Sequence, residues 1–101
     1  MPKFGVSVPH TLTKDEARSR LERFVEMIEQ KYADKVSELQ QSWDGDTLRF
    51  HFKTYGIPID GNIVVSAQDL NLSGDLPFAA VMFKGKIESE IRESLERIVS
   101  A

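Results

Sequence analysis

Residues 48–65 read LRFHFKTYGIPIDGNIVV, and this stretch decides the fold because its hydrophobic period is two. A first strand alternates apolar and basic residues, the Tyr55-Gly56 pair makes a turn, and a second strand alternates again. The apolar positions are Leu48, Phe50, Phe52, Ile57, Ile59, Ile63 and Val65. The pattern predicts two antiparallel strands with one buried face and one polar face.

A third strand precedes this pair. Leu39, Gln41 and Trp43 share one face, and the Asp44-Gly45-Asp46 segment is typical of a hairpin turn. Val36 is out of phase with that face, so either a bulge lies near Glu38 or the strand begins later.

Two further strands complete the predicted sheet. After a turn at Gln68-Asp69, apolar residues and one glycine alternate from Leu70 to Leu76. Phe4, Val6 and Val8 alternate near the start of the chain, predicting a first strand over residues 3–8. We therefore expect an antiparallel sheet of about five strands.

Two helices are expected. Thr13 and Glu16 form a capping-box pattern that places a helix start near Lys14, and a second helix runs from Pro77, capped by Asp75, to about Val99. The first helix has one apolar stripe, composed of Ala17, Leu21, Phe24, Val25, Ile28 and Tyr32. The order β-α-β-β-β-β-α predicts an α+β, two-layer single domain over residues 1–101, with both helices on one face of the sheet.

Composition limits the classes of function. The chain has 101 residues, no cysteine and a net charge of −3 without a dense basic stripe, which argues against a disulfide framework and against nucleic acid as a partner. The apolar run over residues 76–83 is far shorter than the roughly 20 residues of a transmembrane helix. We expect a cytoplasmic protein with neither a transmembrane segment nor a cofactor.

The last helix carries two apolar stripes. Ala80, Phe83 and Ile87 begin the stripe expected against the sheet, whereas Phe78 and Met82 lie roughly opposite. An apolar helix start is either covered by helix 1 or a loop, or it contacts a partner, a ligand or a second copy of the chain.

The residues around that second stripe are further candidate contacts. Val81 lies to one side, and Gly85 favours close approach by another backbone, in this chain or in a partner. Lys84 and Lys86 could bind anionic groups, or form ordinary i,i+4 pairs with Glu88 and Glu90. The sequence favours the interpretation that both lysines form such pairs.

No catalytic constellation is visible. Two histidines without cysteines do not make an all-protein zinc site, so no metal is expected. His10 is compatible with general-base chemistry, but its position at a strand end is more typical of turn hydrogen bonding. His51 belongs to the polar sheet face between Arg49 and Lys53. Trp43 is a core-edge residue or, alternatively, a ligand contact.

Five segments of the chain carry a family resemblance. They are Val6-Ser7-Val8-Pro9-His10, Ala17 with Leu21-Glu22 and Phe24, Ser42-Trp43-Asp44-Gly45, Phe50 with Phe52-Lys53, and residues 74–88, GDLPFAAVMFKGKIE. Together they resemble the small bacterial family of polyhydroxyalkanoic acid system proteins. The family is named for proximity to genes that make or store polyhydroxyalkanoate granules, so the resemblance implies a role in that system but no catalytic residue. The element order also resembles a reduced helix-grip lipid-binding domain.

Three functions are consistent with these features. The first is a non-enzymatic accessory protein that binds a granule surface, a granule protein or its own copy, as a homodimer, through the stripe on the last helix. The second is a carrier of acyl or hydroxyacyl ligands between the sheet and that helix. The third is an enzyme acting on hydroxyacyl thioesters, for which the sequence identifies neither a nucleophile nor a base.

Overall fold

A computed structural model describes residues 3–31, 34–54 and 56–100. They form a five-stranded antiparallel sheet with two α-helices and a short 3-10 helix. The elements are β1 (Lys3–Pro9), α1 (Lys14–Lys31), β2 (Val36–Asp44), β3 (Thr47–Thr54), β4 (Ile57–Val65), β5 (Asp69–Asp75), the 3-10 helix (Phe78–Phe83) and α2 (Lys84–Val99). The predicted α+β class and the order β-α-β-β-β-β-α are confirmed.

The strands lie in the order β1-β5-β4-β3-β2, and every neighbouring pair is antiparallel. The β2–β3 register shifts between Ser37 and Gln40, where Glu38 has a positive φ of 55°. The bulge near Glu38 is thus the correct alternative, and Val36 is already part of β2, paired with Thr54. Tyr32 and Tyr55, predicted in the α1 stripe and in the β3–β4 turn, lie outside the described residues.

Half of the predicted capping box forms at the start of α1. The Thr13 hydroxyl accepts a hydrogen bond from the Glu16 amide at 3.1 Å, satisfying one of the free N–H groups of the first turn. The Glu16 carboxylate does not reach back but pairs with Arg20 at 3.0 Å, one helical turn further on.

A row of two phenylalanines and two glycines crosses four strands on the inner face of the sheet. Phe4 pairs with Gly74, Gly74 with Gly61, and Gly61 with Phe50. Each ring lies against a glycine, since a Cβ added to Gly61 would be 2.8 Å from the Phe50 ring and one added to Gly74 would be 2.7 Å from the Phe4 ring. Glycine is required here because the rings and the adjacent backbones occupy the space of a side chain.

The free edge of β1 is covered by side chains of α2. The Gly5 amide donates a hydrogen bond to the Glu88 carboxylate at 2.9 Å, and the Arg92 guanidinium donates one to the Ser7 carbonyl at 3.1 Å. These bonds satisfy backbone groups that an edge strand would otherwise leave unpaired. They also fix α2 along β1.

The second helical segment differs from its sequence-based description. Its first turns form a 3-10 helix, and α2 begins only at Lys84. Pro77 is extended and stands at the N-cap position, its carbonyl accepting the Ala80 amide at 2.9 Å, and no side chain caps this end. Asp75, predicted as the cap, is instead the last residue of β5.

The core lies between the sheet and the helices. Its buried apolar members come from β1, β3, β4, β5 and both helices, and β2 contributes only half-buried Trp43 among the described core residues. The fully or nearly fully buried side chains are Phe4, Val6, Val8, Ala17, Leu21, Leu48, Ile59, Ile63, Val65, Leu70, Leu72, Leu76, Ala80, Leu95 and Val99.

The close approach at Gly74 predicts a large effect of a single methyl group. In Gly74→Ala the new Cβ would collide with the Asp60 carbonyl oxygen and the Phe4 ring, so unfolding free energy should fall by about 1–3 kcal/mol. Urea denaturation measures this change.

Gly85→Ala is the matched control, because a Cβ at Gly85 would meet no described heavy atom within 4 Å. It should leave stability unchanged or raise it by about 0.5–1 kcal/mol, owing to the better helix propensity of alanine. Equal stability of the two variants would contradict the close packing of β4 against β5.

Candidate functional site

An apolar patch lies on the 3-10 helix and consists of Phe78, Val81, Met82 and Phe83. The exposed fraction is 76% for Phe78, 80% for Met82, 50% for Phe83 and 44% for Val81. Neither α1 nor a loop covers Phe78 and Met82 in the described structure, so the internally covered alternative is wrong. Exposed side chains of this size that are contiguous along one helix are typical of a contact surface.

The 3-10 geometry explains which side chains point outward. With three residues per turn, Phe78, Val81 and Lys84 form one row, and Met82 and Gly85 lie on another. The third row begins with buried Ala80 and continues to Phe83, which the sequence pattern placed on the core stripe. The rows therefore account for the exposure of Phe78, Val81 and Met82. Phe83 belongs to the patch because it is half exposed, although it shares its row with buried Ala80 and neither helical period marks it as exposed.

Lys84 and Lys86 lie beside the patch. Neither of the i,i+4 pairs predicted for them is among the ion pairs of the described residues. The Glu88 carboxylate instead accepts a hydrogen bond from the Gly5 amide. Gly85 is exposed, and a Cβ added to it would meet no described heavy atom within 4 Å, so no backbone packs against it within residues 3–31, 34–54 and 56–100. These three residues remain candidate partner contacts.

The two helices cover the inner sheet face unevenly. On α1 the buried residues are Ala17 and Leu21, in its first half, and on α2 they are Leu95 and Val99, in its second half. Because the helices run antiparallel, these residues meet at one end of the sheet, where Arg20 also donates a hydrogen bond to the Ile98 carbonyl at 3.1 Å. The remaining halves of both helices are only partly buried.

A groove opens where the helices separate. It has a volume of about 340 Å³ and lies between residues 21–28 of α1, residues 87–95 of α2 and the inner face of strands β2–β5. Its lining is formed by Leu21, Phe24, Val25, Ile28, Val36, Leu39, Leu48, Phe50, Phe52, Thr54, Ile59, Ile63, Leu72, Ile87, Glu90, Ile91, Ser94 and Leu95. The groove reaches the last register pair of β2 and β3, Val36 and Thr54. Its size is within the range of small-molecule sites, roughly 300–1,000 Å³.

Sequence reasoning assigned the apolar stripes that line the groove to an ordinary core, and only the alternative of an acyl carrier placed a ligand between the sheet and the last helix. The stripes on both helices are continuous, so nothing in their period marks the point where burial ends. One available signal was the presence of Glu90 and Ser94 beside the stripe of Ile87, Ile91 and Leu95, since a helix face wholly buried against a sheet rarely includes a carboxylate.

Trp43 belongs to neither feature, although its cross-strand partner Leu48 lines the groove. It is half-buried on the edge strand β2, and the Arg18 guanidinium stacks 4.3 Å from the centre of its ring. Arg18 also donates a hydrogen bond to the Gly45 carbonyl at 2.9 Å, which ties α1 to the β2–β3 turn. The cation–π contact gives Trp43 a structural role, and Trp43 is not a lining residue of the groove.

His10 is buried, and both of its ring nitrogens are used structurally. Nε2 lies 2.9 Å from the Ser66 carbonyl and Nδ1 lies 3.1 Å from the Leu12 amide. Since a carbonyl only accepts and an amide only donates, these partners assign the neutral tautomer with the proton on Nε2. The ring therefore joins β1, the β4–β5 turn and the approach to α1, as the turn interpretation expects.

The outer sheet face carries cross-strand ion pairs. Lys53 pairs with Glu38 at 3.0 Å, and Arg49 lies 3.6 Å from Asp44. His51 is hydrogen-bonded to Asp60, so the basic row has the acidic neighbours predicted for it. The described residues contain no group of three or more His, Asp or Glu side chains arranged to hold a metal ion.

The fold and these surfaces define a small α+β domain with an exposed apolar patch and an apolar groove. No described helix combines the length and apolarity needed to cross a bilayer. A model of the family described as "Putative polyhydroxyalkanoic acid system protein" matches residues 5–99, and the chain belongs to that family. No curated protein matches the chain.

The bonds of His10 predict a stability role. His10→Ala should lower the unfolding free energy by about 1–3 kcal/mol, because it leaves the Ser66 carbonyl and the Leu12 amide without their partner. His51→Ala is the control, since its exposed pair with Asp60 should contribute only about 0–1 kcal/mol. Chemical denaturation of both variants compares the two sites, and an equal loss would contradict the structural assignment.

Proposed function

We propose that this protein is a non-enzymatic accessory of the polyhydroxyalkanoate system that attaches to the apolar surface of a storage granule in the cytoplasm. The observation that carries the proposal is the exposure of Phe78 and Met82 on the 3-10 helix. Family membership supplies the context, because the family description names polyhydroxyalkanoic acid, a polyester of hydroxyalkanoic acid units.

The size of the patch favours an extended apolar surface over a protein partner. Its four side chains expose on the order of 400 Å² together, about half of the ~800 Å² that each partner buries in a standard protein interface. Transfer of that area from water contributes roughly 10 kcal/mol before the costs of association are subtracted. Contact with a polymer surface needs no matching pocket, so a small convex patch is sufficient for reversible attachment.

The surroundings of the patch fit the same role. Lys84 and Lys86 extend from the start of α2 and can keep their ammonium groups in water while their alkyl stems lie along an apolar surface. Gly85 between them has no side chain, and Met82 on the same side of the helix is 80% exposed. The ring nitrogens of His10, the histidine considered for catalysis, are both bonded to the backbone, which supports a non-enzymatic role.

Co-sedimentation with isolated polyhydroxyalkanoate granules tests the proposal. Wild type should be recovered with the granules, whereas Phe78→Glu and Met82→Glu should shift to the soluble fraction, because a carboxylate at the patch must be dehydrated on contact. Val64→Glu is the matched control. Val64 is 38% exposed on the outer face of β4, so it receives the same charge change away from the patch.

Two results would overturn the proposal. One is equal partitioning of wild type and the two patch variants. The other is a homodimer in light scattering that Met82→Glu converts to monomer, which would assign the patch to self-association. Loss of granule binding by Val64→Glu as well would show that added charge, and not the patch, controls partitioning.

A further inference from the structure

We infer that the groove is a binding site for one unbranched acyl chain of medium length with a neutral, hydroxyl-bearing head. No residue of the groove belongs to the apolar patch, so this inference goes beyond the proposed attachment to granules and does not depend on it. It rests on three features of the groove: volume, the chemistry of the lining, and the position of the polar groups.

The volume sets the length of the chain. An engineered cavity of about 150 Å³ is large enough to bind benzene, and the groove is about 340 Å³. A methylene occupies about the same space as a water molecule, ~30 Å³, so the groove holds a chain of roughly ten heavy atoms. A chain much longer than this must extend past Thr54 at the end of β3.

The lining excludes polar ligands. All of the lining side chains are apolar except Thr54, Glu90 and Ser94. A sugar or nucleotide placed among the others would leave its hydrogen-bonding groups unpaired, at a cost of about 1–3 kcal/mol for each group. A hydrocarbon chain instead gains from the burial of apolar surface along its whole length.

The polar residues fix the head of the ligand. Glu90 and Ser94 are one turn apart on α2, so their side chains lie next to each other on the groove wall. The Glu90 carboxylate accepts hydrogen bonds and repels an anion, which favours a hydroxyl donor and disfavours a free fatty acid. The Ser94 hydroxyl can donate to an ester carbonyl beside that hydroxyl. A hydroxyacyl ester supplies both groups.

Titration calorimetry with two probes tests this assignment. Methyl 3-hydroxydecanoate should bind saturably at one site, and decanoate should bind more weakly. Ser94→Phe places a ring in the groove and should weaken binding of the neutral probe by about tenfold or more, the loss expected when roughly two methylenes are displaced.

Two further variants separate the possible outcomes. Glu90→Gln keeps the shape of the side chain and removes its charge. The ratio of the affinity for the neutral probe to the affinity for decanoate should therefore fall severalfold. Met82→Glu should bind the neutral probe as wild type does, because Met82 lies outside the groove.

Absence of saturable binding by wild type would overturn the inference. So would unchanged affinity in a Ser94→Phe variant whose circular dichroism and urea midpoint show that it is folded. If Ser94→Phe fails to fold, Glu90→Gln provides the test instead. An affinity ratio between the two probes equal to that of wild type would contradict the head-group assignment. If the protein binds the neutral probe but does not co-sediment with granules, the proposed function is contradicted and this inference is not.

Discussion

The contact of the two helices with one end of the sheet is the interaction on which the rest of the structure depends. Ala17 and Leu21 of α1 meet Leu95 and Val99 of α2 there, over the buried residues of the central strands. Each fully buried leucine contributes about 1.5–3 kcal/mol, so this end provides much of the hydrophobic stabilisation of a small domain. Because the helices are held firmly at one end, they can separate at the other without losing the fold.

The inner sheet face is adapted to this arrangement. In the row Phe4, Gly74, Gly61 and Phe50, the rings lie against glycines and occupy the space that larger side chains would fill. The same row brings β4 and β5 into unusually close approach. Phe50 is at once a member of this row and a wall of the groove, so the sheet geometry and the groove share a residue.

Local patterns predicted the elements well. The alternation over residues 48–65 identified β3 and β4. The phase of Val36 indicated either a bulge near Glu38 or a later start of the strand, and the structure has the bulge. Thr13 predicted the start of α1 because capping depends on residues a few positions apart. Each of these features is encoded within a few consecutive residues.

Features that depend on long-range packing could not be predicted in the same way. The apolar stripe of α1 has the same period at Leu21, which is buried, and at Ile28, which is half-buried and lines the groove. The period shows which side of the helix faces the sheet, but not how far the sheet lies from it. Phe83 lies three residues after buried Ala80 and was predicted on the core stripe, yet it is half exposed and belongs to the patch. The bonds of Glu88 and Arg92 to β1 join residues more than eighty positions apart, beyond any local signal.

Those bonds have a consequence for the proposed attachment to a granule surface. Accumulation there raises the local concentration of the chain, and sheets with open edges then tend to join strand to strand. Here Glu88 and Arg92 occupy backbone groups on the β1 edge, and the bulge at Glu38 interrupts the β2 edge. Both outer strands of the sheet are therefore poor templates for polymerisation, and crowded copies can remain separate folded units.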